Sequence, residues 1–126
     1  MNKERQKKIL IIDDDKFLSG LYIKKFTNEG FEVLSAVDGK KGLEIAKKNF
    51  PDIIILDILL PEIDGYEVLL SLKNNLTTKN IPVVLLTNFF QKEDIIKCFK
   101  AGARDYLIKS HFMPSEVVEK VKKILI

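Results

Sequence analysis

The feature that most constrains the fold of this 126-residue chain is a rhythm. Short aliphatic runs recur at Ile9–Ile12, Phe31–Leu34, Ile53–Leu56, Val83–Leu86 and Tyr106–Ile108, with amphipathic stretches between them. Each run has strand length, is rich in branched residues and stops at a polar residue or a turn signal. Ile53–Leu56 and Val83–Leu86 do not alternate apolar with polar, as expected of strands covered on both faces. Between the runs the spacing is helical. Leu18, Leu21, Tyr22 and Phe26 form one stripe, stopped by Gly30; Leu43 and Ala46 mark a second, closed by Pro51. Tyr66, Leu69, Leu70 and Leu72 mark a third helix, and Ile95, Ile96 and Phe99 a fourth, ended by Gly102. Val117, Val118, Val121, Ile124 and Leu125 mark a fifth. Five strand–helix alternations predict a single α/β domain, a doubly wound parallel sheet with helices on both faces.

Composition removes other classes. Hydrophobic residues make up 46% and charged residues 31%, which excludes disordered and fibrous readings. The net charge of +3 is small and concentrated in Met1–Lys8 and in Lys120, Lys122 and Lys123, too little for an expectation of direct nucleic-acid binding. The single cysteine, Cys98, cannot form an internal disulfide and reads as a helix residue. The only apolar run near the N-terminus, Ile9–Ile12, is far too short for a signal-peptide core or a membrane span, so the expectation is a cytoplasmic protein with no membrane contact.

In doubly wound sheets, ligands sit at the carboxyl ends of the strands. Those ends carry Asp13, Asp14 and Asp15 after strand one, Asp57 after strand three, Thr87 on strand four and Lys109 after strand five. A parallel sheet brings them to one edge, as a carboxylate cluster facing one hydroxyl and one ammonium. Clustered carboxylates repel unless a cation joins them. Oxygen donors without His or Cys suit Mg²⁺. A carboxylate can attack phosphorus to form an acyl phosphate, and the transfer then needs positioning and charge neutralisation more than covalent help.

Four segments, ILIIDDD at Ile9–Asp15, DIIILDILLPEIDGYE at Asp52–Glu67, PVVLLTN at Pro82–Asn88 and AGARDYLIKS at Ala101–Ser110, stand in the order and register of a known family. From Lys8 to Leu125 the chain resembles the receiver domain of two-component response regulators, the CheY-like family. The resemblance implies a five-stranded, flavodoxin-like sheet in the order 2-1-3-4-5 with five helices. It divides the chain into a basic tail (1–7), read as solvated, and a receiver domain (8–126).

It also implies roles. Asp57 is the expected phosphoacceptor for a phosphohistidine on a sensor kinase or phosphotransfer protein. Asp14 would bind Mg²⁺ directly, Asp13 mainly through water, and the Leu59 backbone carbonyl would be a further ligand, with Asp57 completing the set. Lys109 would pair with the phosphoryl oxygens. Thr87 would swing toward the phosphoryl group and draw the ring of Tyr106 inward, remodelling the face of helix four, strand five and helix five. That face, with Tyr106, Lys97 and Lys100, is the expected contact for an output protein, and the domain is expected to be a monomer or a phosphorylation-dependent dimer. Phe17 and Ile23, off the core stripe of helix one, are the expected contacts for the kinase. The chain ends soon after the fifth stripe with no output domain attached, which leaves a stand-alone regulator and a receiver cut from a longer chain both open.

Departures from the family pattern accompany these matches. Ser110 stands where proline usually follows the lysine, often in a cis bond, and Asn88 is larger than the usual residue after the threonine. Met113 stands where a Ser or Thr cap is expected for helix five. Leu59 and Phe89, at the positions that tune loss of the phosphoryl group, are apolar and cannot orient water, so slow self-dephosphorylation is expected. Two other readings stand beside the receiver: a pseudo-receiver that binds a partner without phosphorylation, and a haloacid-dehalogenase-type phosphatase using Asp13 and Asp15, which leaves Asp57 without a role. A flavodoxin-like FMN site is excluded, because three aspartates would repel phosphate where a Ser/Thr- and Gly-rich loop is needed. Asp15, Pro61, Asp64 and Gly65, and Asp38 with Gly39, read as caps and turn formers without chemistry. His111, the only histidine, reads as a surface residue.

Overall fold

The computed structural model describes residues 5–126. The elements run β1 (Lys8–Ile12), α1 (Lys16–Asn28), β2 (Glu32–Ala36), α2 (Gly39–Asn49), β3 (Ile53–Leu56), α3 (Gly65–Lys73), β4 (Val83–Thr87), α4 (Lys92–Lys100), β5 (Asp105–Ile108) and α5 (Pro114–Ile124). A short 3-10 turn, Lys109–His111, joins β5 to α5. The five strands are parallel and lie in the order β2-β1-β3-β4-β5, as the sequence led one to expect.

Alternation along each strand divides the core into two layers. Ile9, Ile11, Ile53, Ile55, Val84, Leu86 and Leu107 pack with Tyr22 and Phe26 of α1 and Val117, Val118 and Val121 of α5. Leu10, Ile12, Ile54, Leu56, Val83, Leu85 and Tyr106 pack with Ala46 of α2, Val68, Leu69 and Leu72 of α3, and Cys98 of α4. Because successive strand side chains point to opposite faces, runs without polar alternation satisfy both layers at once.

Three aspartates start helices. Asp15, Asp38 and Asp64 accept from the amides of Leu18, Lys41 and Glu67 and so satisfy donors that lack partners within the first turn. At α5 the residue before the helix is Met113, whose side chain has no oxygen to offer; its own amide donates to the Glu116 carboxylate at 2.8 Å, supplying half of a capping box.

Several expected stripes are redrawn. β2 begins at Glu32, not Phe31. The Phe31 amide bonds the Phe26 carbonyl at 3.1 Å, and its ring meets Phe26 edge-on at 5.4 Å, so Phe31 closes α1 and belongs to the core but not to the ladder. In α1 the buried positions are Ser19, Tyr22 and Phe26, with Ile23 packed against them, while Leu21 is 44% exposed. Ile23 is therefore a core-packing residue and not the free surface contact expected, whereas Phe17 is 80% exposed. In α4 the inward positions are Ile95 and Cys98, and Ile96 and Phe99 face out. Ile95, Ile96 and Phe99 offer more than one apolar stripe, and packing selects the one with Ile95 and Cys98.

Residues 1–4 of the basic tail lie outside the described residues. Arg5 makes two hydrogen bonds to Asp52, at 3.1 and 2.6 Å, and the Gln6 amide group donates to the Gly30 carbonyl at 3.0 Å. Burial would raise the Asp52 carboxyl, but Arg5 and the Lys8 amide hold it below the usual carboxylate range. The segment just before β1 is thus tied down on one side by Asp52 and on the other by Gly30.

Candidate functional site

Strand register assembles the site. Ile12 pairs with Leu56 across β1 and β3, and the Asp57 amide bonds the Ile12 carbonyl at 3.0 Å, so Asp13 and Asp57 leave adjacent strands side by side. Thr87 pairs with Ile108 across β4 and β5, which places Lys109 one residue beyond Thr87. Asp13, Asp57 and Thr87 are all buried, and Asp14 is exposed.

The Lys109 ammonium bridges two carboxylates, 2.7 Å from Asp13 and 2.8 Å from Asp57. Burial acts to lower its pKa, and the hydrogen bonds to Asp13 and Asp57 outweigh that and hold it above the ordinary lysine value. Burial also pushes the Asp13 carboxyl up, against the pull of Lys109 and of the Asp15 amide. Asp13 has both oxygens engaged, Oδ1 accepting from Asp15 and Oδ2 facing Lys109. Asp57 Oδ1 accepts from the Leu59 amide at 3.2 Å.

Asp13, Asp14 and Asp57 each offer one oxygen, and those oxygens lie within 4.8 Å of one another, a group that could hold a metal ion. Among the described residues Asp14 accepts no hydrogen bond and makes no ion pair, so its carboxylate is free for such an ion. Asp13 is thus buried and fully engaged, and Asp14 beside it is exposed.

The loop after β3 is shaped by Gly65. A Cβ at that position would lie 2.1 Å from the Asp57 carbonyl oxygen and 2.6 Å from the Ile58 Cα. Only glycine allows this approach, and the Gly65 amide seals it by donating to the Ile58 carbonyl at 2.8 Å. The sequence showed Gly65 as a turn former; its closeness to Asp57 is a tertiary fact with no local signal.

The Thr87 hydroxyl accepts from the Phe89 amide at 3.1 Å. The Tyr106 ring is already turned inward, 9% exposed, and its hydroxyl donates to the Phe89 carbonyl at 2.5 Å. Burial pushes the Tyr106 phenol up to about 12. Leu59 is 56% exposed at the rim, and Phe89 is half-buried against the core. Lys97 turns toward α3, its ammonium 3.9 Å from the centroid of the Tyr66 ring, while Lys100 is exposed.

The Asn88 side chain accepts from the Ser110 amide at 3.0 Å. No peptide bond among the described residues is cis, so the Lys109–Ser110 bond is trans. Cys98 is buried, where desolvation raises its thiol, and His111 is exposed beside Phe90. No helix among the described residues is long and apolar enough to cross a membrane.

Comparison with known proteins agrees with this geometry. The sequence pattern of the response regulator receiver domain matches residues 9–122. The DNA-binding dual master transcriptional regulator RpaA of Synechocystis is 42% identical over 118 residues, covering 94% of this chain and 48% of that protein. Response regulator PleD of Caulobacter vibrioides is 41% identical over 102 residues, covering 81% of this chain and 22% of its own. The chain thus spans about half the length of RpaA and less of PleD. A crystal structure of a putative response regulator from Chloroflexus aurantiacus superposes with a TM-score of 0.88 at 38% identity, covering 96% of this chain and 98% of that one. A CheY-like receiver domain protein from Methanospirillum hungatei gives 0.90 at 28% identity, covering 96% and 94%. The sheet order, the acidic cluster at its carboxyl edge and these matches lead to one statement: the chain belongs to the family of response regulator receiver domains of two-component systems.

Proposed function

We propose that Asp57 is the phosphoacceptor of this receiver and that the chain acts as a phosphorylation-switched signalling module. The observation that carries the reading is the Lys109 bridge: one ammonium within 2.8 Å of Asp57 and within 2.7 Å of Asp13, at the edge where three carboxylates converge. Asp57 attacks the phosphorus of a phosphohistidine; a P–O bond forms, the P–N bond breaks, and the imidazole nitrogen leaves with the bonding electrons. Lys109 and the Thr87 hydroxyl then face the equatorial oxygens and neutralise them. Asp14 would hold Mg²⁺ directly, Asp13 through water, and Asp57 and the Leu59 carbonyl would complete the protein ligands. When bound, the ion supplies charge neutralisation at the acidic cluster and at the phosphoryl oxygens. A phosphatase built on Asp13 and Asp15 would leave the buried Asp57, paired with Lys109, without a role, which counts against that reading.

The donor is a sensor histidine kinase or a phosphotransfer protein. It has to reach the carboxyl edge, and an open groove of about 320 Å³ beside α1, lined by Leu21, Lys24, Lys25, Asn28, Met113 and Pro114, offers it apolar contact. The output face is that of α4, β5 and α5, where Ile96, Phe99 and Lys100 are exposed. An output partner or a second, phosphorylated copy would dock there. RpaA is described as DNA-binding; for the receiver itself the reading is a protein-contact module. The apolar Leu59 and Phe89 leave an attacking water unoriented, so self-dephosphorylation is slow. Incubation with acetyl phosphate and Mg²⁺ tests the reading: one phosphoryl group is expected on the wild type and none on Asp57→Asn.

A further inference from the structure

The 3-10 turn that carries Lys109 is capped from another loop. Ile108, the residue before the turn, has no side-chain acceptor to offer. The first amides of a helical turn find no partner inside it, and the Ser110 amide is one of these. Its acceptor is Asn88 Oδ1 at 3.0 Å, which arrives from the β4–α4 loop 22 residues earlier. A second contact joins the same two loops, with the Phe90 and His111 rings 6.1 Å apart and tilted by 57°. The pairing is chemically matched. A proline at 110 would present no amide hydrogen to cap, and an alanine at 88 would offer nothing to receive one.

We propose that Asn88 is a positioning residue for phosphotransfer: by capping Ser110 it fixes the turn from which Lys109 reaches Asp13 and Asp57. β5 holds Lys109 on its N-terminal side through the pairing of Ile108 with Thr87, and the capped amide holds it on the other. Lys109 can then present its ammonium without searching for the geometry at each transfer. The positioning role rests on the reading of Asp57 as acceptor; the cap itself does not.

The test is a cycle of Asn88→Ala in the wild type and in a Ser110→Pro background, followed by phosphorylation with acetyl phosphate and Mg²⁺. In the wild type, Asn88→Ala is expected to lower the maximal rate about fivefold, the worth of one neutral hydrogen bond, with the half-saturating acetyl phosphate concentration unchanged. In the proline background, where no donor exists, it is expected to change nothing. Exchange of the Ser110 amide should accelerate by a similar factor in Asn88→Ala. An equal loss of rate in both backgrounds, or unchanged Ser110 exchange, overturns the proposal. Should the proline variant not fold, Ser110 exchange in Asn88→Ala decides. A wild-type chain that takes up no phosphoryl group overturns the Asp57 reading instead. In that case the nitrogen shift of the Lys109 ammonium decides on the cap alone: moved by Asn88→Ala it supports the hold on Lys109, and unmoved it overturns it.

Discussion

The Lys109 ammonium lies 2.8 Å from Asp57, and it holds that position while also touching Asp13 at 2.7 Å. One cation therefore balances two carboxylates, each nearly shut off from water. Removing it leaves the pair uncompensated, which for buried charges costs roughly 3 kcal/mol. Lys109→Met is expected to lower the unfolding free energy by about that amount in EDTA, and Mg²⁺ should restore part of the loss by binding the folded state. Urea unfolding with EDTA and with Mg²⁺ checks both. A variant as stable as the wild type in EDTA would contradict the bridging role.

Tyr106 yields a prediction in pH. Its phenol is raised from 10 to about 12 by burial, and it donates to the Phe89 carbonyl. A raised pKa means the folded state favours the protonated form. The associated stability is fully present below pH 10 and is lost as pH climbs through about 12. Near-ultraviolet absorbance should show a late-ionising tyrosine that disappears in Tyr106→Phe. Tyr22 is also raised by burial, so the assignment rests on that variant. Loss of the hydrogen bond should cost Tyr106→Phe about 1 kcal/mol.

The proposed slow loss of the phosphoryl group rests on Leu59 and Phe89. Leu59 stands exposed at the rim and Phe89 lies half-buried beside Thr87, and neither can accept a proton from water. Introducing Leu59→Asn with Phe89→Glu is expected to speed loss of the phosphoryl group by about two orders of magnitude, the low end for a positioned proton acceptor. Decay of the phosphorylated mass after removal of the donor measures it, and an unchanged rate would refute the assignment.

If α1 is the docking surface for the donor, its exposed side chains separate recognition from chemistry. Phe17 and Leu21 are exposed, whereas Ile23 packs on the core. Alanine at Phe17 and Leu21 should slow transfer from a phosphorylated histidine protein, leave labelling by acetyl phosphate unchanged, and cost little stability. Ile23→Ala should instead lower stability by about 1 to 3 kcal/mol through the lost packing.

What was legible in the sequence follows from what is local. Strand runs such as Ile53–Leu56 bury both faces and announce themselves by having no polar alternation. The aspartates that cap α1, α2 and α3 could be read from their place before each helix. The exposed and buried sides of α1 and α4 were less clear. Leu18, Leu21 and Ile23, or Ile95, Ile96 and Phe99, offer several equally apolar stripes, and only packing against the sheet selects one. Contacts between distant loops left no trace at all. Asn88 and Ser110 looked like two unrelated departures until their hydrogen bond showed them to be partners, and the closeness of Gly65 to Asp57 depends on how the β3–α3 loop folds back.

The central claim, that Asp57 takes the phosphoryl group, is tested most directly by trapping it. After acetyl phosphate and Mg²⁺, borohydride reduction converts an aspartyl phosphate to homoserine, and tandem mass spectrometry of the peptides locates it. Homoserine at position 57 alone, lost when Mg²⁺ is chelated, is the expected result. Homoserine at position 13, or none at all under conditions that label another receiver, would contradict it.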